Sequence, residues 1–192
     1  MAYEQTLTPP RYTVPAIIAH WLIAMLMIVN LGLGLIAEDL PDAQIRLAID
    51  THKSIGISVL GLVLLRVLWR LSHRPPPFSG TMANWERGLA HVTHFGLYVF
   101  MVWMPITGWL HDSAWKAAAE KPMFWFGLFE WPRIGLVMAR PAAEKEVLHE
   151  LFGAMHEIGG YGLIALLLLH IAGALKHQFV DHDAGLRRMW PR

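Results

Sequence analysis

His156 and His170 stand at the two ends of the run "HEIGGYGLIALLLLH", fourteen positions apart. On an α-helix that spacing is about 21 Å of rise and falls about 40° short of whole turns, so both imidazoles leave one face at two depths. Imidazole is the commonest protein ligand for metals, and it also moves protons near neutral pH. In an ordinary apolar helix, one such histidine would sit at a helix end and the other would be satisfied in the core. Two further histidines, His20 in "AIIAHWLIA" and His52 in "DTHKSIGISVLG", lie in runs just as apolar. Ionisable side chains in such runs are expensive and by default mark a function. The chemistry they point to is metal ligation or proton movement at two levels.

Four segments can hold these side chains: residues 15–37, 48–71, 89–111 and 148–179. Each supplies the roughly 20 apolar residues that a bilayer core requires of a helix. The expectation is an all-α integral membrane four-helix bundle, one domain over residues 1–192, with a long loop between helices 3 and 4 at about 112–147. Composition agrees, because only 16% of the chain is charged and 55% is hydrophobic, whereas soluble domains are about 25% charged. The absence of cysteine excludes disulfides, iron–sulfur clusters and thiolate zinc sites. A net charge of +1 gives no basic face for nucleic acid. The start "MAYEQTLTPPRYTVP" is polar and acidic, unlike a cleavable signal peptide, so the first span is expected to stay. Pro15 suits a helix start, "LPDAQ" at 40–44 a turn, and "SHRPPPFSG" at 72–80 a stiff stop, while Pro105 predicts a kink in the third span. Residues 121–139 are aromatic but carry Glu130, Pro132 and Arg133. They read as an interfacial loop or short helix on the membrane surface, with Trp125 and Trp131 at headgroup level.

Lys and Arg crowd the helix ends on the side of Arg11, Arg66, Arg70, Arg74, Arg87, Lys176 and the tail to Arg192, which by the positive-inside rule puts both termini in the cytoplasm. The histidines then match in depth: His20 with His170 inside, His52 with His156 outside. Two facing imidazoles at each of two depths is what axial ligation of two stacked haems requires. Small residues flank each ligand: Ala16 and Ala24, Ala48 and Gly56, Gly153, Gly159 and Gly160, Gly173 and Ala174. They either make room for a macrocycle or serve close helix packing in the membrane. His91 and His94, on one face of the third span, and His177 suit a proton path, with Arg11 or Lys176 meeting propionates. His149 reads as interfacial, and His73, His111 and His182 as solvated residues of loops or helix ends.

The segments "AHW", "THKSIGISVLGLVLLRVLWRL", "HEIGGYGLIALLLLHIAGALKHQF" and "DHDAGLRRMWP" resemble the bacterial cytochrome b561 family over nearly the whole chain. The resemblance implies a four-helix inner-membrane cytochrome with two haem b groups, whose metal ligands are His20, His52, His156 and His170 on the first, second and fourth helices. It also implies an oxidoreductase that takes electrons from superoxide and passes them to ubiquinone. The departure lies in the third connection, on the donor side in that family.

With imidazole on both sides of each iron, the expected chemistry is outer-sphere electron transfer. Lys53, Lys116 and Lys121 could guide a small anion to the outer level. Quinone reduction needs protons, for which His91, His94 and His177 are candidates. One alternative is an electron-transfer subunit fed by a partner dehydrogenase or periplasmic redox protein. Another is a non-haem histidine metal protein, although di-iron sites gather their ligands at one depth. The expected partners are membrane lipid, quinone and superoxide or a redox protein, and not nucleic acid.

Overall fold

The computed structural model describes residues 11–78, 82–183 and 185–191. The polar stretch 1–10, the end of the proline-rich connector at 79–81 and Arg192 lie outside the described residues. Four long helices make the bundle: α1 (Val14–Ile36), α2 (Asp42–Ser72), α3 (Asn84–Ala114) and α5 (Ala142–Phe179). All four are long and apolar enough to cross a membrane. α1 starts with Pro15 in its first turn, where a missing N–H costs nothing. At 31 and 38 residues, α2, α3 and α5 outrun a hydrocarbon core of about 30 Å, so their charged ends project from it. α3 runs unbroken through Pro105. The Thr107 hydroxyl lies within bonding distance of the Trp103 and Met104 carbonyls beside it.

Packing is uneven around the bundle. α3 lies closest against α5, followed by α1 on α2 and α2 on α3, whereas α5 is not closely packed on α1 or α2. Glycines explain the tight pair. A Cβ on Gly96 would lie 2.8 Å from Leu166, one on Gly162 2.9 Å from Phe100, and one on Gly159 2.9 Å from Met104. At mid-depth the bundle is filled by Ile23, Met27, Ile55, Val59, Val63, Leu97 and Leu163. Leu163 sits midway along the run from His156 to His170, so an apolar layer separates the two histidine levels.

The third connection is folded rather than laid flat. After Trp115 come a two-stranded hairpin, β1 (Phe124–Trp125) and β2 (Phe129–Glu130), and the single turn α4 (Gly135–Met138). Phe126 and Gly127 turn the hairpin with φ of 48° and 71°, the left-handed region that Gly adopts freely. The hairpin leans on α2. Ser54 Oγ accepts the Phe126 N–H at 2.9 Å, and Ser58 Oγ accepts the Trp125 indole N–H at 3.1 Å. Trp125, expected at headgroup level, therefore turns inward, because two serine hydroxyls on α2 offer partners there. A short helix α6 (Gly185–Met189) closes the other end of the bundle, with the Met189 carbonyl accepting the Trp21 indole at 2.7 Å.

Candidate functional site

The helices that stand apart are those that carry facing imidazoles. At the level named outer after the expected orientation, the ring centres of His52 on α2 and His156 on α5 are 5.9 Å apart, at 77° to one another. At the inner level His20 on α1 and His170 on α5 are 6.2 Å apart, at 76°. Two imidazole nitrogens that each bind one metal at about 2 Å bring their ring centres to roughly 6 Å.

The outer rings are oriented by hydrogen bonds. His52 Nδ1 donates to the Asn30 carbonyl at 3.0 Å. His156 Nδ1 donates to Thr107 Oγ1 at 3.1 Å, while the Thr107 hydroxyl proton goes to a carbonyl of its own helix. Each bond fixes the proton on Nδ1 and leaves the Nε2 lone pair for a metal. The chain is glycine where these rings pass. A Cβ on Gly34 would lie 3.2 Å from His52 Cε1, and one on Gly108 3.0 Å from His156 Cε1. Both histidines border a cavity of about 660 Å³ that Met27, Met104, Leu163 and Met123 also line. That volume suits an organic cofactor.

The cavity mouth carries paired charge. Asp112 bonds Lys53 at 2.5 Å and Arg133 at 2.8 Å, with Asp112 and Arg133 only 6% and 7% exposed. Arg133 also donates to the Ala118 and Lys121 carbonyls, which staples the third connection to the end of α3. Arg133, read from sequence as a surface residue, is buried because Asp112 supplies its counter-charge. Lys53 is likewise ion-paired rather than free. Lys121 is exposed and borders the cavity, 5.7 Å from the Trp115 ring centre, and Lys116 is exposed in the same connection.

His111 and His149 differ from their expectation as solvated and interfacial residues. Their rings stack at 3.8 Å and 15°, and each Nδ1 donates to the other's main-chain carbonyl, at 2.8 and 3.0 Å. They border the same cavity. The cause is again a glycine: a Cβ on Gly153 would lie 3.0 Å from His111 Cε1. Gly153, Gly159 and Gly160 thus face α3 side chains and serve helix packing, not room beside His156. Gly173, by contrast, has no atom within 4 Å of an added Cβ.

The inner level is more crowded with imidazole. His94 on α3 stands 5.2 Å from His170, so three histidines meet there. Among the described residues neither His20 nor His170 has a side-chain hydrogen bond. His91 is exposed against Phe78, 5.0 Å away. His177 is held 2.7 Å from Asp181. Lys176, expected near a propionate, is spent on Glu86 and Asp181, each at 2.7 Å, and those bonds hold the Asp181 carboxyl below the usual carboxylate range. Glu86, His177 and Asp181 lie close enough to share a cation, but the Lys176 ammonium already sits among them. Arg11 donates to the Trp190 carbonyl at 2.5 Å.

Two pairs of imidazoles at ligating separation, between helices that stand apart, fit two haem groups as a donor set. Asp112, Thr107, Gly34 and Gly108 were not singled out from sequence. The two glycines lie on spans other than those of the rings they clear, and Asp112 and Thr107 meet their partners across long stretches of chain.

The family described as Prokaryotic cytochrome b561 matches residues 11–192. Cytochrome b561 homolog 2 of Escherichia coli strain K12 is 32% identical over 186 residues, covering 96% of this chain and 93% of that protein. Probable superoxide oxidase CybB of Yersinia pestis is 26% identical over 186 residues, covering 95% and 97%. Cytochrome b561 homolog 1 of Escherichia coli strain K12 is 24% identical over 187 residues, covering 95% and 98%.

Proposed function

This chain belongs to the prokaryotic cytochrome b561 family, and from that premise we propose that it oxidises superoxide and reduces ubiquinone as a dihaem protein of the bacterial inner membrane, both termini cytoplasmic. It is a multi-pass membrane protein of electron transfer, and its family binds haem b. In balance, two superoxide anions each lose one electron to become dioxygen, and one ubiquinone gains those two electrons and two protons. Haem b, held by His52 with His156 and by His20 with His170, would supply one-electron carriage at each level.

The observation that carries this reading is the repetition of an imidazole pair, near 6 Å, at two depths of one bundle. The chain's own side chains divide the remaining work. Thr107 and the Asn30 carbonyl set the tautomers of the outer ligands. The apolar layer around Leu163 keeps water and ions from crossing between levels. Lys121, exposed at the outer mouth, with the exposed Lys116 of the same connection, draws a small anion towards the cavity, and Lys53 contributes less because Asp112 offsets it. On the inner side His94 is the best placed group to hand a proton to quinone, since it is half-buried against His170; His91 and His177 lie nearer the surface.

The test is a reduced-minus-oxidised absorbance spectrum of purified protein with haem counted per chain, followed by superoxide in place of dithionite and a soluble ubiquinone analogue as acceptor. Two low-spin b haems, reduced by superoxide and reoxidised by quinone, are expected. Haem-free folded protein sinks the reading. A second reading, an electron-transfer subunit for a redox protein, is favoured by the exposed Phe124, Phe126, Leu128 and Phe129 on the hairpin. Two haems indifferent to superoxide, with a soluble redox protein copurifying in stoichiometric amount, would replace the first reading by the second.

A further inference from the structure

Helix α2 carries a second regularity. His52 and Arg66 are fourteen positions apart, the separation of His156 and His170 on α5. Arg66 therefore stands about 21 Å from His52 along the helix and on nearly the same face. At the depth where α1 and α5 offer His20 and His170, α2 offers a guanidinium. Its Nε donates to the Tyr98 hydroxyl at 3.1 Å and an Nη to the Ala16 carbonyl at 2.6 Å. Both acceptors are neutral. Arg66 is within electrostatic range of His20, His94 and His170. One turn on, the Arg70 guanidinium lies 5.9 Å from the centre of the Tyr98 ring. Arg11, Arg66, Arg70 and Arg74 together line a pocket of about 50 Å³ whose described walls contain no Asp or Glu. Among the described residues none of the four has a carboxylate partner.

Cations in a membrane-spanning region are costly unless paired. At the outer level this chain solves the same problem internally, by giving Lys53 and Arg133 the Asp112 carboxylate. At the inner level no carboxylate among the described residues does so for these arginines. We infer that Arg66 and Arg70 seat the two propionate carboxylates of a haem b held between His20 and His170. This rests on the haem reading above. The propionates are the only charged groups on the periphery of that ring, and the Arg fork bonds a carboxylate through two parallel N–H donors. Arg66 lies at the depth of the ligands and Arg70 one turn nearer the inner face, so the two cations can take one carboxylate each. A lipid phosphate, arriving from the membrane surface, would meet Arg74 and Arg70 first. Arg66, deeper along α2, is half-buried and bonded to α3 and α1.

The test uses the purified holoprotein, with haem isotope-labelled at its propionate carboxylates, as wild type, Arg66→Gln, Arg66→Lys and Arg70→Gln. Both midpoint potentials are measured by optical redox titration, and the labelled carboxylate bands by redox-difference infrared spectroscopy. In Arg66→Gln an uncompensated propionate opposes the added electron. The reduction equilibrium of one haem should fall at least tenfold, which is 59 mV for one electron, and one set of labelled bands should shift. Arg66→Lys should recover part of both changes, and the second haem should be unaffected. Unshifted bands with both haems present overturn the inference. So does a loss of bound phospholipid phosphorus in Arg66→Gln without a band shift, which would make the anion a lipid phosphate. If Arg66→Gln fails to fold, Arg70→Gln must move the same bands or the inference falls. Wild-type protein carrying fewer than two haems would instead overturn the haem reading and take this inference with it.

Discussion

The two histidine levels share one helix, α5, yet are held by opposite means. At the outer level each Nδ1 has a fixed acceptor, glycines clear the rings, and the nearby charges cancel within the chain. At the inner level His20 and His170 lie against other rings with no side-chain hydrogen bond among the described residues, and the arginines nearby have no carboxylate partner among them. The difference follows from what each site faces. The outer cavity of about 660 Å³ is bordered by His52 and His156 and by the Lys53–Asp112–Arg133 cluster, so its ligands are oriented by hydrogen bonds and the charge at its mouth is balanced by the chain itself. At the inner level the described arginines have no carboxylate of the chain beside them, so there the charge of the cofactor itself can complete the site.

The largest test of this comparison is removal of a ligand. His52→Leu or His156→Leu should leave one haem per chain, with the inner spectrum retained, and His20→Leu or His170→Leu should leave the outer one. His94→Leu should keep two. Extracted haem per mole of chain decides this. If His94→Leu loses a haem and His20→Leu does not, the inner site is built on α3 and α5, and the pairing by depth is wrong there.

Next in size is Asp112→Asn. It leaves Arg133 buried without its anion, and breaking such a pair from one side costs about 3 kcal/mol or more. The denaturation midpoint should fall accordingly, and protease should cut within 115–141 before the helices. Retained stability and an uncut loop would mean that the outer charges are not interdependent, which is half of the comparison.

Gly108→Ala should act in the same range or below. The new Cβ would come 3.0 Å from His156 Cε1, and overpacking of this kind costs about 1–3 kcal/mol. The outer haem should be altered in its low-spin absorption or lost, with the inner one untouched. Equal disturbance of both haems would show that the levels are coupled through α5.

The spans were legible, as was the pairing of His20 with His170 and of His52 with His156, because both are periodic. An apolar run of fixed length and a fourteen-residue repeat survive without knowledge of neighbours. The third connection did not show itself. Its order depends on Asp112 reaching Arg133, and on Ser54 and Ser58 reaching the hairpin from α2, and neither pairing leaves a trace in local spacing. Glycine was legible as a need for space but not for whom. Gly153, in sequence a neighbour of His156, in fact admits His111, while His156 is cleared by Gly108 on another helix.

The smallest effect, and the finest probe of the comparison, is Thr107→Val. Valine keeps the shape of threonine but cannot accept the His156 Nδ1–H. The ring loses the bond that fixes its tautomer, and in its alternative form the proton sits on Nε2, where a metal would bind. Losses of this kind cost about 10-fold to 100-fold in metal affinity, so the outer haem should pass to excess apomyoglobin about tenfold faster than in wild type. Thr107→Ser, which restores the acceptor, should return the rate. The inner haem, whose ligands make no such bond, should leave at its wild-type rate in both variants. If Thr107→Val releases both haems faster, the bond supports the bundle as a whole. If it releases neither, the outer imidazoles are held by packing alone, and the contrast between a level oriented by hydrogen bonds and one completed by charge loses its outer half.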